Sequence, residues 1–389
     1  MKKLSLLAIV VFVFASLQTS AKIWRVNNNP SLDGDVLQAS TLFDNTNNAT
    51  NPEAAAGDTV YFEPSATTYN GFDVNKANVV VMGYGYFLTQ NAGQQAMANN
   101  ARVNDIGFQV GSAGSSVSGL EFVSSGIFIY TSNITATRCK TQNVYLSNLT
   151  NATGIRIDKC YIVSGLSESG IAATVTSITI SVENCIFSGI GDGNFITGVN
   201  LSNKVRGLFR NNVMNYCSQF YGFNFYIANN IFTYQTSFGS VSNSGNNVFR
   251  NNLFSFPITQ TSYVQVGGNT APNSGNVFSV NMANVFNGVP DNVYNGTTVF
   301  NNYILIGAFT PESRYELKGG STALLAGESG TTFGAATVTT PACGAYGATD
   351  PYRKGGFPAI PRIYSLTVPA TVPNGAANMS ISVSSSSNN

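Results

Sequence analysis

The sequence predicts an all-β solenoid, a single-stranded parallel β-helix with an N-terminal cap and a C-terminal β tail. A short phrase recurs at roughly one-coil spacing, and each copy alternates apolar and polar residues with the period of two that marks a strand. Thirty-eight glycines, with abundant asparagine and serine, supply tight bends, while long helical patterns are missing from the region after the first 21 residues. The phrase begins Ile155-Arg156-Ile157-Asp158-Lys159-Cys160-Tyr161-Ile162. It returns from Ile180, Leu208, Phe225 and Val248. Aligned on Cys160, Cys185, Asn212, Asn230 and Asn252, the copies step by 25, 27, 18 and 22 residues. A lone coil of this length cannot bury its apolar face, so coils must stack at the spacing of paired strands, about 4.8 Å.

The elements follow in chain order. Residues 1–21 read as a secretory signal, with Lys2 and Lys3, an apolar stretch from Leu4 to Phe14, and small residues at Thr19-Ser20-Ala21. The apolar run is too short for a transmembrane anchor, and no cysteine precedes Cys139 to carry a lipid. Residues 22–56 hold the strand-like Lys22-Ile23-Trp24-Arg25-Val26 and are expected to cap the first coil. Residues 57–345 are expected to form the solenoid, opening on Gly57-Asp58-Thr59-Val60-Tyr61-Phe62 and Val79-Val80-Val81-Met82-Gly83-Tyr84-Gly85. Residues 346–389 begin with a proline-rich linker and end on the alternating Met379-Ser380-Ile381-Ser382-Val383, read as a strand lying back on the last coil.

The asparagine pairs mark bends. Asn tolerates left-handed backbone angles, and its amide can bond to the same amide one coil away. Asn184, Asn211, Asn229, Asn251 and Asn301 are expected to form such a ladder. Cys139, Cys160 and Cys185 share the adjacent register with Asn212, Asn230 and Asn252, which favours packed thiols over a bridge.

These phrases, with the two opening runs, resemble the right-handed parallel β-helix superfamily of the pectate-lyase type over roughly residues 57–310. The resemblance implies a right-handed coil and raises the expectation of carbohydrate contact. In such lyases carboxylates hold calcium and a basic residue removes a proton; hydrolases of the same fold use clustered aspartates. Fold does not carry function with it.

The chain contains no histidine, which excludes the His-based catalytic arrangements. Without Lys2 and Lys3 it has 17 basic and 18 acidic residues, a balance that offers nucleic acid no clustered positive charge. Charged residues make up 10% of the chain, so the surface is mostly hydrogen-bonding and suits a polysaccharide or surface glycan.

Two positions before each aligned Cys or Asn stand Asp158, Glu183, Arg210, Ala228 and Arg250, with Arg156 beside Asp158. Asp158, Glu183 and Arg210 are therefore the catalytic candidates, while Arg156, Tyr226 and Arg250 are ligand-binding candidates. The same column reads equally as a ladder of cross-strand ion pairs. No metal site is assigned. Gly191-Asp192-Gly193-Asn194 lacks the repeated acids of a calcium loop, and calcium enters only under the lyase reading.

The sequence thus points to an exported, non-catalytic protein of the cell surface or extracellular matrix that binds glycans or mediates adhesion, with no cofactor. A polysaccharide lyase or glycoside hydrolase is the alternative, and a structural assembly subunit the second alternative.

Overall fold

Alternation in the sequence becomes burial in the computed structural model. It describes residues 21–31, 34–44, 53–91, 99–188, 198–215, 220–233, 247–255, 275–288, 309–328, 342–347, 350–369, 371 and 378–386. Among these residues there are strands and short 3-10 turns but no α-helix. Nearly all the strands lie in two long parallel sheets. The arrangement is consistent with a parallel β-helix.

Sheet I has ten strands, from Ile23–Val26 and Thr59–Phe62 through Ala152–Asp158, Ile178–Glu183, Val205–Arg210 and Phe225–Ala228 to Val248–Arg250. Sheet II has eleven, from Phe72–Val74 through Arg102–Phe108, Glu121–Ile129, Lys140–Ser147 and Tyr161–Ser169 to Leu253–Phe254. From Thr59 onward the chain passes back and forth between the sheets, so neighbours within a sheet are one coil apart. The four long strands of sheet II are bent. Register shifts after Val103, Glu121 and Ile162 divide each into a near limb, next to sheet I in sequence, and a far limb beyond the bend. Gly198–Asn200 and Phe220–Tyr221 extend the far limb only.

Residues facing inward stack in columns one coil apart. Ile157, Val182, Phe209, Ile227 and Phe249 pair in register across sheet I, all nearly free of solvent exposure. On the other wall the rings of Phe232, Phe254 and Phe278 stack with centroids 4.8 and 4.9 Å apart. Each coil alone would leave these faces wet; together they make one continuous apolar interior.

A two-residue corner joins sheet I to sheet II. Its first residue is left-handed in coil after coil: Arg138, Lys159, Asn184, Asn211, Asn229 and Asn251 have φ between 52° and 57°. That geometry turns its side chain outward. The second residue points inward: Cys139, Cys160, Cys185, Asn212, Asn230 and Asn252 are fully buried. The amide ladder therefore runs through the second residue, correcting the expected one. Asn212 Nδ2 donates to Asn230 Oδ1 at 3.0 Å, Asn230 Nδ2 to Asn252 Oδ1 at 3.0 Å, and Asn252 Nδ2 to Asn276 Oδ1 at 3.0 Å. Asn184, Asn211, Asn229 and Asn251 bond elsewhere, and Asn301 lies outside the described residues. Cys139, Cys160 and Cys185 are free thiols; Cys160 and Cys185 occupy ladder positions, the backbone N–H of Cys160 donating to Cys185 Sγ at 3.4 Å.

The ends depart from expectation in two places. Ile23–Val26 is itself the edge strand of sheet I, anchored by Asp58, which accepts from the Trp24 indole N–H and from the backbone of Lys22 and Ala55, all at 2.8 Å. These donors hold the buried Asp58 carboxyl below its usual range, outweighing desolvation. At the other end, coils were expected to residue 345. The last described strand in the two long sheets is Leu253–Phe254, followed by a single parallel bridge to Val277. The described residues of 312–328, 342–347 and 350–357 instead pack against the outside of the coils. The expected capping strand does not return to the last coil: Arg362–Thr367 pairs antiparallel with Ser382–Ser386 in a separate two-stranded sheet. Pairing with each other satisfies one edge of each strand.

Candidate functional site

Sheet I brings the charged candidates together in the expected register. Asp158 pairs with Glu183, Glu183 with Arg210, Arg210 with Ala228, and Ala228 with Arg250. Contact leaves little chemistry available. Arg210 Nη2 lies 2.5 Å from Glu183 Oε2, while Ser181 Oγ donates to Glu183 Oε1 at 2.7 Å. Lys159 Nζ lies 2.8 Å from Asp158 Oδ2, and the half-exposed Arg156 stands 3.6 Å from the same oxygen. Asp158, Glu183 and Arg210 are all buried, where each charge requires its partner. Desolvation raises the pKa of Asp158, with Lys159 and Arg156 opposing it. Each acid is neutralised by a cation at contact distance, which describes an ion-pair ladder better than an acid–base pair.

The column is bordered by a strap. The described residues between Ala326 and Phe357 run back along the corner against the advance of the coils, held by the outward left-handed residues. Asn251 Nδ2 donates to the Ala326 carbonyl at 2.9 Å, Asn229 to Glu328 at 3.1 Å, Asn211 to Ala342 at 2.9 Å and Asn184 to Ala345 at 3.1 Å. Lys159 Nζ meets Asp350 Oδ2 at 2.7 Å, and Arg138 Nη1 reaches the Phe357 carbonyl at 3.1 Å. The strap also claims two expected ligand-binding residues. Tyr226 is buried with its hydroxyl donating to Glu328, and Arg250 Nε sits 3.1 Å from Glu328 Oε2. Neither is an open platform, because the later chain fills the space beside them.

Beneath the strap lies a second apolar core. Tyr161, Ile186, Val213, Ile231 and Leu253 point outward from the near limb, yet are buried against Tyr315, Cys343, Ala345 and Tyr352. At its N-terminal end sits Glu312, fully buried. It accepts from Tyr352 Oη at 2.5 Å, Asn91 Nδ2 at 2.8 Å and the Gly355 backbone at 3.1 Å. Desolvation pushes its pKa up to about 7, against these donors.

The far limb leaves an open outward face that sequence reading missed. One outward column, paired coil by coil, runs Asp73, Gly107, Phe128, Tyr145, Ser167, Asn200 and Tyr221. Its neighbour runs Asp105, Gly126, Asn143, Gly165 and Gly198. Phe128 and Tyr145 are half-buried, with ring centroids 4.9 Å apart and planes 16° apart. Rings side by side in one plane cannot approach so closely, so the pair stacks and its faces point up and down the column. Glycines keep the floor low: a Cβ on Gly126, whose φ is 125°, would meet the Asn143 carbonyl oxygen at 2.1 Å. Asp73 Oδ1 lies 2.0 Å from where a Gly107 Cβ would stand, so that carboxylate rests over the glycine. Burial, together with the neighbouring Asp73, raises the Asp105 pKa. The available signal was an aromatic at the polar position of an alternating strand, Ile127-Phe128-Ile129 and Val144-Tyr145-Leu146.

Among the described residues no group of three His, Cys, Asp or Glu side chains is placed to hold a metal ion. Residues 191–194 fall outside them. No helix of the described residues is long and apolar enough to cross a membrane. No protein-family model, curated protein or solved structure is found to match the chain.

Proposed function

We propose that this is an exported right-handed parallel β-helix of the pectate-lyase-like superfamily, at the cell surface or in the matrix, which binds glycans without cleaving them. The observation that carries the reading is the half-buried Phe128–Tyr145 stack on the far limb, bordered by amide, hydroxyl and carboxylate side chains. An aromatic face offers a sugar ring an apolar platform, and the surrounding groups take its hydroxyls. The two long parallel sheets and the signal-like first 21 residues support the fold and the export. The lyase or hydrolase alternative, with or without calcium, has less support, since Asp158, Glu183 and Arg210 are spent on one another and on Lys159.

The test is affinity electrophoresis of purified residues 22–389 through gels carrying single polysaccharides, with release of reducing ends measured alongside. At least one polymer should retard the protein, and Tyr145→Ala should weaken that retardation about tenfold. Release of reducing ends that survives purification would replace the binding reading with the enzymatic one.

A further inference from the structure

We propose that the far-limb face selects neutral glycans and rejects polyuronates; this rests on the glycan-binding reading above. The first argument is shape. The aromatic stack is flanked in its own column by Gly107 on one side and Ser167 on the other. Ser167 has little bulk, so the outer face of Tyr145 looks into a notch one coil wide, whereas the space over Gly107 beside Phe128 holds the Asp73 carboxylate, with Gln109 Nε2 3.2 Å from where a Gly107 Cβ would stand. The positions of Gly107 and Ser167 are three coils apart, with the aromatic pair between them, so they form two separate subsites. Beside Phe128 the Asp73 carboxylate, lying over Gly107, is placed to accept hydroxyl hydrogens. In the notch beside Tyr145, Ser167 forms the floor and the exposed Asn200 the far wall.

The second argument is charge. None of the lysines and arginines among the described residues stands in either outward column of the far limb, whereas Asp73 and Asp105 do. The cations nearest in sequence are Arg102 and Lys140 on the near limb, where Lys140 is paired with Glu121 at 2.6 Å, and Lys76 and Lys204 in the turns beyond the far limb, Lys204 Nζ lying 2.8 Å from the Ala172 carbonyl. A polyuronate carries a carboxylate on every sugar and meets like charge in both columns, with no guanidinium in either to fork onto it. A neutral chain loses nothing by the same arrangement.

The experiment measures affinity of residues 22–389 for neutral β-glucan, mannan, xylan and starch against polygalacturonate and alginate, at low salt where repulsion is least screened. Variants Phe128→Ala, Tyr145→Ala and the isosteric pair Asp73→Asn/Asp105→Asn are run beside it, each checked for an unchanged thermal midpoint. The expected result is retention by a neutral polymer alone, weakened about tenfold by either aromatic substitution. The double Asn variant should narrow the gap between neutral and uronate polymers. Polyuronate bound as tightly as any neutral chain would overturn the selectivity while leaving glycan binding standing. Neutral binding indifferent to both aromatic substitutions would remove the site from the far limb. No retention by any polymer would overturn the glycan reading itself.

Discussion

A left-handed residue turns its side chain away from the coil, and its successor turns inward, so Asn229 and Asn230 carry the same amide to opposite sides of the coil wall, both fully buried. Asn230 is fully buried; its Oδ1 accepts from the Asn212 backbone at 2.8 Å and its Nδ2 reaches the Phe209 carbonyl at 2.9 Å. Asn230→Ala strands both partners in a dry interior, and should cost about 3 kcal/mol. Asn229 holds the strap through Glu328, its Nδ2 donating to the carbonyl at 3.1 Å and its Oδ1 accepting from the N–H at 2.8 Å, with φ of 57°. Asn229→Gly keeps that backbone geometry and loses the two strap hydrogen bonds, about 2 kcal/mol. Urea midpoints of the two variants check the contrast, and equal losses would contradict this division of labour. The sequence showed both residues at a bend in the correct register. It did not show which of the two faces inward, because that depends on which one takes the positive φ. Arg138 and Lys159 take it without being Asn or Gly, so composition gives no warning there.

Elements were legible wherever one periodicity governed one face. Sheet I read correctly down to single register pairs, since its strands and the corner keep a fixed spacing from coil to coil. The far limb did not, because the bends in sheet II skip different numbers of residues, two more between Glu121 and Gly126 than between Lys140 and Asn143, as their shifted pairing requires. The strap left a clear trace that went unused: Cys160-Tyr161-Ile162, Cys185-Ile186-Phe187 and Asn230-Ile231-Phe232 put two apolar residues in succession after the corner. Successive residues of a strand face opposite ways, so such pairs require cover on both sides. Ending the chain at Thr310 would uncover that outer column, whereas ending it at Pro361 removes only the terminal hairpin. The shorter chain should bind a hydrophobic dye and unfold at a lower temperature, with the longer one close to the parent. Equal dye binding and melting in all three would show that the strap contributes no cover.

At the scale of the whole molecule, Glu312 connects parts far apart in sequence, taking hydrogen bonds from Asn91 before the bent strands and from Tyr352 and Gly355 at the end of the strap. Tyr86 Oη closes the cluster through Tyr352 at 2.5 Å, and Lys354 adds a favourable charge from the strap side. Desolvation nevertheless wins, raising the folded pKa from 4.5 to about 7. A raised carboxyl pKa means that the folded protein holds a proton the unfolded chain has released. Stability from this group is therefore full below pH 4.5 and declines as pH rises through about 7, then levels off. At 1.36 kcal/mol per unit the decline amounts to about 3 kcal/mol. Asp105 and Asp158 shift in the same direction, while Asp58 and Asp350 shift oppositely and lose their contribution only toward acid. With no histidine anywhere in the chain, the interval from pH 5 to 7 is otherwise quiet. Denaturation midpoints should therefore fall across that interval in the parent protein, and Glu312→Gln, which stays neutral, should flatten more than half of the fall. A parent whose stability is level or rising from pH 5 to 7 would mean that the three donors hold Glu312 ionised, and that the strap is locked by charge rather than by a shared proton.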